Sequence, residues 1–396
     1  MSARAGRLAI DGGPKVRRTP FPQWPSFAAG VERAVAEVLR SGRVNYWTGR
    51  AGMEFERAFA EWLGVGNAVS TANGTSALHA AFAALGIGPG DEVICPSYSF
   101  IASSFSILHA GARPVFCDTG EDHLIDPSKI ERLVTPRTRA IVVVHLFGAV
   151  ADMDPVMEIA RRRGLFVVED CAQCIGGVYK GRKAGSIGDI GCFSFCQAKQ
   201  FTTGGEGGMA CCRDDALAWE LRSLRDHGYD VEARLRRLAG KGPMDYAHRR
   251  VGYNFRMTEM QSAIGLAELA RYDIWNLPRR RRLGRTLAAE LSGHPLVRLA
   301  PVDTPERVNS FWLAPFVLRA EMLTVPVRRF IEAVQAEGAG AYAILWPEMH
   351  RAEAFAKRRG FGARNYPFDD PAGRNIDYSK VDCPVARSLA NATIAF

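Results

Sequence analysis

Short apolar runs alternate with helical patterns along the first half of the sequence, and this alternation limits the possible folds more than any other feature. Strands are predicted at Glu92–Cys95, Pro114–Cys117, Ala140–His145, Leu165–Glu169, Gly191–Phe195 and Gly208–Cys212; helices are predicted at Ala28–Leu39, Met53–Leu63, Ser76–Leu85, Ile101–Ala110, Pro155–Arg163 and Ala216–Arg225. Because these strands are apolar throughout, both faces of their sheet must be covered. We therefore predict an α/β fold with a mainly parallel sheet between helices.

The second half of the chain follows a different pattern. Asp230–Arg250 is polar and rich in Arg, Gly and Lys, which predicts a mobile loop. A helical pattern from Thr258 to Leu291 then leads to a strand at Phe311–Leu318 and a helix at Val327–Glu337. Single cores stop growing near roughly 250–300 residues. For a chain of 396 residues we therefore expect one large and one smaller domain.

Composition and charge exclude several classes of protein. With 47% hydrophobic and 23% charged residues and no low-complexity tract, the chain is globular rather than disordered. The net charge of +9 attracts anions, but the runs Arg161–Arg163 and Arg279–Arg282 lie in helical patterns without interleaved aromatic residues. We therefore expect a phosphorylated small substrate rather than nucleic acid.

Membrane and secretory signals are not evident in the sequence. The apolar stretches are far shorter than the roughly 20 residues that cross a bilayer. The basic segment Met1–Arg18 lacks the continuous apolar core of a signal peptide. We expect a cytoplasmic protein without a membrane partner.

The cysteine pattern allows two interpretations. Nine cysteines are an odd number, and most lie inside strand-like runs, as is typical of buried thiols in a reducing compartment. Alternatively, Cys171, Cys174, Cys192 and Cys196 could supply the four ligands of a zinc ion. The segments around these cysteines carry other motifs, so we predict no metal site.

Ligands of open α/β sheets bind at the carboxyl ends of the strands, and four polar segments occupy such places. The small-residue turn Asn73–Leu78 enters a helix and suits either a phosphate or ordinary helix capping. Asp170 follows a buried strand and could be a metal ligand, a cap or the partner of a protonated ring nitrogen. The segment Gly252–Gln261 opens the long helix and is either a site element or a plain helix start.

The fourth segment surrounds Lys199. This lysine follows the apolar run that ends at Phe195, and the glycine-rich turn Thr202–Gly208 comes directly after it. Hydroxyl groups and glycines that let backbone approach closely are what an imine-forming amine in a tight pocket requires. A surface lysine beside a glycine turn is the alternative.

Together these segments resemble the DegT/DnrJ/EryC1/StrS family of pyridoxal 5′-phosphate (PLP)-dependent sugar aminotransferases, which are fold-type I enzymes of the aspartate aminotransferase superfamily. The resemblance runs from about Asn45 to Leu291. It also rests on the motifs Tyr46-Trp47-Thr48-Gly49, Gly88–Val93, Pro96–Ala102, His145–Gly148, Glu169–Gly177, Tyr179–Arg182, Gly185–Phe195, Arg225–Gly228 and Gly252–Gly265.

This resemblance implies a domain organisation. Residues 1–265 would form an N-terminal arm and a large PLP-binding domain with a mainly parallel seven-stranded sheet between helices. Residues 266–396 would form a bridging helix and a smaller α+β C-terminal domain. Relatives usually continue through another strand and helix beyond the point that corresponds to Phe396, so the resemblance implies a truncated small domain.

The resemblance also assigns roles to individual residues. Lys199 would bind PLP covalently and move the proton in catalysis, and Asp170 would pair with the pyridine nitrogen. Further cofactor contacts would come from Phe100 against the ring, Gln173 near the ring oxygen or the lysine, and Gly74, Thr75, Ser76 and Ser194 around the phosphate. Asn254 would reach that phosphate from the neighbouring subunit, which implies a homodimer with composite active sites. Candidate substrate contacts are Tyr46, Trp47, Thr48 and His227.

The function implied is transfer of an amino group from glutamate or glutamine to a keto sugar, most simply a nucleotide-linked keto-deoxysugar used in glycan or natural-product biosynthesis. A keto-cyclitol is the alternative acceptor, because Gln173 stands where many relatives have His and Cys196-Gln197 where they have Pro or another residue. A non-catalytic regulatory or binding protein with the same fold is the alternative of another class. The intact Lys199 and Asp170 argue against it.

Overall fold

The computed structural model describes residues 6–240, 247–344 and 346–396. Its helices are α1 (Ala29–Ser41), α2 (Ala51–Leu63), α3 (Gly74–Ala84), α4 (Ala102–His109), α5 (Met153–Arg163), α6 (Asp215–Arg225), α7 (Val231–Leu238), α8 (Glu259–Arg271), α9 (Leu277–Leu291), α10 (Val327–Ala336), α11 (Glu353–Ala356) and α12 (Pro384–Ala392). Its strands are β1 (Asn67–Thr71), β2 (Glu92–Pro96), β3 (Arg113–Cys117), β4 (Thr138–Val144), β5 (Phe166–Asp170), β6 (Val178–Tyr179), β7 (Arg182–Lys183), β8 (Ile190–Ser194), β9 (Gly208–Cys212), β10 (Val297–Leu299), β11 (Arg307–Val308), β12 (Pro315–Leu318), β13 (Tyr342–Ala343) and β14 (Thr393–Ala395).

A seven-stranded sheet in the order β1-β9-β8-β5-β4-β2-β3 forms the centre of the molecule. Strand β9 is antiparallel to both β1 and β8, and every other pairing is parallel. The parallel strands bury almost every side chain, as their Val and Ile content requires of a sheet covered on both faces. The predicted mainly parallel α/β sheet is thus confirmed.

Strand β1 was missed because it lacks the apolar signature of its neighbours. Its residues Ser70 and Thr71 are small and polar, yet the whole strand is buried. Both the backbone N–H and the hydroxyl of Ser70 donate to the buried carboxylate of Glu56, at 2.9 and 2.8 Å. Glu56, on helix α2, therefore satisfies the polar groups of Ser70, and the sequence of the strand alone does not reveal this partner.

The predicted loop Asp230–Arg250 is wrong over the span of α7. Asp230 caps this helix by accepting a hydrogen bond from the N–H of Ala233, and Val231 packs against Tyr46 and Trp47. A good N-cap and one apolar anchor thus hold a helix in an arginine-rich stretch. Residues 241–246 of the predicted loop lie outside the described residues.

The predicted strand Phe311–Leu318 is also shorter than expected. Only Pro315–Leu318 pairs in the sheet, because the N–H groups of Ser310 and Leu313 instead donate to the carbonyls of Gly148 and Phe147. The long helical pattern from Thr258 is likewise interrupted by one π-helical turn at Tyr272–Asn276, before Pro278. Proline cannot donate to the carbonyl one turn earlier, which breaks the regular ladder there.

The C-terminal region divides its side chains between two cores. A four-stranded sheet in the order β10-β12-β14-β13 packs with α10 around Phe316, Ile331 and Ile394. Met349 and Tyr378, by contrast, belong to the core of the large sheet. A domain division at residue 265 stays a prediction. Among the described residues, no helix is both long and apolar enough to traverse a bilayer.

Candidate active site

A cavity of about 680 Å³ opens at the carboxyl ends of the central strands. The chain leaves the sheet there after β1, β2, β5 and β8, and residues at or just after the ends of these strands line the cavity. The predicted cofactor contacts found in its lining are Gly74, Thr75, Ser76, Phe100, Asp170, Gln173, Ser194 and Lys199. Residues distant in sequence are thus brought to one site, as expected for this sheet type.

The N-terminus of α3 forms one end of the cavity. The side chain of Asn73 accepts a hydrogen bond of 2.8 Å from the N–H of Ser76, so the helix begins at a fixed point. A Cβ on Gly74 would lie 2.7 Å from that of Ser194, so only glycine lets the helix approach β8 this closely. The first N–H groups of the helix and its dipole provide a site for an anion.

Asp170, the last residue of β5, places a carboxylate inside the cavity. Its side chain is buried, with 5% of the residue exposed. One carboxylate oxygen accepts a 2.7 Å hydrogen bond from the hydroxyl of Ser103, and the other accepts one of 3.1 Å from the N–H of Ala172. Two donors on different segments therefore fix the direction in which the carboxylate points.

Lys199 lies in the turn between β8 and β9. Burial lowers the pKa of its ammonium group, and the charge of Asp170 opposes that shift. Its Nζ is 4.1 Å from the ring centroid of Trp312. Desolvation favours the neutral, nucleophilic form of the amine.

Gln173 and Phe100 are the other predicted cofactor contacts that line the cavity. The side-chain oxygen of Gln173 accepts a 2.9 Å hydrogen bond from the N–H of Phe147. The ring of Phe100 is exposed, and its centroid lies 6.3 Å from that of Trp346. An exposed aromatic side chain on the cavity wall presents a flat surface to a planar ligand.

The remaining predicted site residues lie outside this cavity, around Asp226. We call this group the Asp226 cluster: Tyr46, Trp47, Thr48, Asp226, His227, Arg234, Asn254 and Arg256. Trp47 Nε1–H donates to the buried Asp226 carboxylate, which also pairs with Arg234 and Arg256. Asn254 forms a β-bridge with Asp226. Tyr46 and Trp47 are buried, whereas Thr48, His227 and Asn254 are exposed.

Several lining residues were not predicted. Trp312 and Trp346 come from the C-terminal region, and no local motif marks either of them. His79 and His109 line the far end. Ser103 orients Asp170 without lining the cavity. It had a detectable signal, because it follows Phe100 by three residues and so lies on the same face of the turn into α4.

A buried group of possible metal ligands, His145, Glu169 and Cys171, lies beneath the site. Glu169 accepts hydrogen bonds from His145 and from the N–H groups of Gly185, Ile187 and Gly188, at 2.7–2.9 Å. These bonds occupy the carboxylate, which anchors the turn before β8. Within residues 6–240, 247–344 and 346–396 the four cysteines considered as zinc ligands do not assemble into such a group.

Comparisons with known proteins agree with this geometry. Residues 27–391 match the model of the DegT/DnrJ/EryC1/StrS aminotransferase family. The L-glutamine:2-deoxy-scyllo-inosose aminotransferase of Streptomyces lividus is 42% identical over 98% of this chain and 92% of its own length. GDP-perosamine synthase of Caulobacter vibrioides is 48% identical, but this match spans 60% of the chain and 61% of that protein.

A solved aminotransferase from Psychrobacter cryohalolentis superposes with a TM-score of 0.85 at 34% identity, covering 95% of this chain and 93% of that one. The predicted fold type, enzyme class and PLP cofactor are thereby confirmed. The chain belongs to the DegT/DnrJ/EryC1/StrS aminotransferase family.

Proposed function

We propose that this protein transfers an amino group from glutamate or glutamine to the ketone of a nucleotide-linked keto sugar, in the biosynthesis of a glycan or a natural product. The observation that carries the proposal is the meeting of Lys199, Asp170 and the α3 N-terminus in one cavity. The relationship to GDP-perosamine synthase supports the choice of acceptor.

The residues of the cavity fit PLP. Gly74 and Thr75 offer N–H groups to a phosphate, and the missing Cβ of Gly74 leaves room beside Ser194. Asp170 is buried and held by Ser103. Its carboxylate can accept a hydrogen bond from a protonated ring nitrogen. When bound, PLP supplies an electron sink for the carbon that carries the amino group.

The chain's own residues would bind the cofactor, hold its ring and move a proton. Lys199 binds the cofactor and, as a desolvated amine, takes and returns the proton at the carbon undergoing amination. Asp170 would pair with the pyridine nitrogen and keep it protonated. Phe100 covers the ring face, and Gln173 binds near the ring oxygen or the lysine.

We further propose that two copies of the chain form composite sites. Among the cavity residues that the structure describes, Lys199 is the only Lys or Arg, although a glutamate donor brings two carboxylates. Thr48, His227 and Asn254 are exposed in the Asp226 cluster, where a second copy can receive them. In this arrangement Asn254 reaches the phosphate bound in the other subunit. The candidate contacts to the substrate in that subunit are Tyr46, Trp47, Thr48 and His227.

A keto-cyclitol is the second candidate acceptor. One observation favours it: the cyclitol aminotransferase of S. lividus aligns with almost the whole chain, whereas the alignment with GDP-perosamine synthase covers three fifths of it. The cavity lining is compatible with either class, because both acceptors are polyhydroxylated rings.

We place the reaction in the cytoplasm. All nine cysteines are free thiols, and eight of them are buried. Free thiols in such number are typical of a reducing compartment.

Incubation with glutamate or glutamine and a panel of acceptors, followed by mass spectrometry, tests the function. Nucleotide-linked keto sugars should gain an amine, and 2-deoxy-scyllo-inosose should not. Amination of the cyclitol alone would replace the first candidate by the second. A protein that neither shows visible absorbance with PLP nor aminates any acceptor would match the non-catalytic alternative.

A further inference from the structure

Two indole N–H groups hold the backbone directly before Lys199. Trp24 Nε1–H donates to the carbonyl of Gln197 at 2.9 Å, and Trp312 Nε1–H donates to the carbonyl of Ala198 at 2.6 Å. Trp24 belongs to the N-terminal segment and Trp312 to the turn before β12. Both consecutive carbonyls are therefore fixed by elements outside the central sheet.

The turn itself is anchored mainly at its ends. Gln197 donates to the carbonyl of Gly205, and Lys199 N–H donates to that of Cys196. The first of these bonds ties the turn to the glycine-rich segment, and the second lies within the turn. The two indoles satisfy the carbonyls of Gln197 and Ala198, which water would otherwise bind.

The ring of Trp312 makes a second contact with the same residue. Lys199 Nζ is 4.1 Å from its centroid, which is within the range of a cation–π interaction. The ring also stacks on Phe147, with planes 10° apart and centroids 6.5 Å apart. The N–H of Phe147 donates to Gln173, which lines the cavity. The indole of Trp312 therefore packs on a ring that is itself attached to the cavity lining.

We propose that Trp312 is a positioning residue for Lys199: its N–H fixes the backbone of the turn, and its ring face holds the terminal amine whenever that amine is not bonded to the cofactor. The inference rests on the proposed role of Lys199. It explains how a long, flexible side chain is kept at one place when it is released during turnover.

The test measures the reactivity of Lys199 itself. Full-length protein, freed of cofactor, is labelled with trinitrobenzenesulfonate over a range of pH, and the Lys199 peptide is quantified by mass spectrometry. Protection of Lys199 from labelling by added PLP tests its cofactor role separately. Absence of that protection in the wild-type protein would count against the proposed function. The variants test the positioning role without reference to turnover.

The ring stabilises the ammonium form, so its removal should favour the free amine. Trp312→Leu should lower the apparent pKa of Lys199 labelling by about half to one pH unit, and Trp312→Phe should retain most of the wild-type value. Trp275→Leu is the matched control, since the Trp275 ring contacts Arg271 and Arg279 elsewhere. An unchanged labelling pKa in Trp312→Leu, or an equal shift in the control, overturns the ring-face role.

Trp312→Phe and Trp24→Phe also test the backbone contact, and they keep the proposal testable if the leucine variant does not fold. Each removes one N–H donor and keeps an aromatic ring. The labelling rate of the neutral amine should rise about 2- to 10-fold in each, as expected for loss of a bond worth roughly 1 kcal/mol. A wild-type rate in Trp312→Phe overturns the backbone role.

Discussion

The hydroxyl of Ser103 and the carboxylate of Asp170 form a buried hydrogen bond of 2.7 Å, which joins the start of α4 to the end of β5. The donor and the acceptor are 67 residues apart in the sequence. The carboxylate thus has a fixed orientation before any ligand arrives, which is how a catalytic charge is preorganised.

Asp170→Asn should reduce the turnover number by at least about 100-fold, because a neutral amide does not keep a ring nitrogen protonated. Steady-state kinetics with a validated acceptor measures this. Ser103→Ala keeps the carboxylate and loses one donor, so a fall of about 10-fold or less is expected. Equal losses in the two variants would contradict a specific role for the Asp170 charge.

Gly74→Ala should weaken PLP binding by about 10-fold or more. The new methyl group would lie 2.7 Å from Cβ of Ser194 and push the N-terminus of α3 away from β8. Absorbance titration with PLP gives the dissociation constant. Gly30→Ala is the control, because that helical position has open space around its Cβ. There the same substitution should be neutral or slightly stabilising.

Acid should destabilise the protein through His79. Burial lowers the pKa of this imidazole to about 4, and the neighbouring His109 contributes in the same direction. Its folded pKa is below the unfolded value of about 6.5, so its stabilising contribution is complete above pH 6.5 and is lost as pH falls toward 4.

His79→Phe keeps an aromatic ring against Tyr253 and should therefore remove about 1–3 kcal/mol of the stability lost between pH 7 and pH 4.5. Urea unfolding at both pH values measures the difference. His294→Phe, at an exposed site, serves as the control. If both variants keep the wild-type pH dependence, His79 does not carry the effect.

Arg225→Met should lower the free energy of unfolding by about 3–5 kcal/mol, because it leaves the buried carboxylate of Glu56 without its cation. Both side chains are largely excluded from solvent, with 0% and 8% exposed. Arg162→Ala breaks exposed pairs with Glu131 and Glu158 and should change stability by less than about 1 kcal/mol. Chemical unfolding distinguishes the two cases.

Mixed subunits test the composite site. Lys199→Ala and Asn254→Ala chains should each be nearly inactive, but unfolding and refolding them together should restore about a quarter of the wild-type activity, since half of the dimers are mixed and each has one intact site. A mixture as inactive as its components shows that Asn254 does not act across subunits.

The cofactor side of the site was predictable because its signals are local. Asp170 and Lys199 lie shortly after predicted strands, and Gly74 lies in the turn that enters a predicted helix; the parallel sheet brings such positions together. Trp312 could not be found in this way, since it meets Ala198 across 114 residues through a turn that the apolar pattern assigned to a strand. Helix α7 was missed for a related reason: Val231 packs against Trp47, a contact absent from local composition.

The cavity has a floor of strand ends and a wall supplied by Trp312 and Trp346 from the C-terminal region. Each strand end is locked by neighbours on both sides, whereas the wall belongs to connecting segments. A duplicated gene can therefore keep Lys199 and Trp312, and with them the amine-transfer chemistry, while mutations at Trp346 explore new acceptors. For protein engineers, the same separation marks Trp346, rather than Trp312, as the position to vary when a different ring is to be aminated.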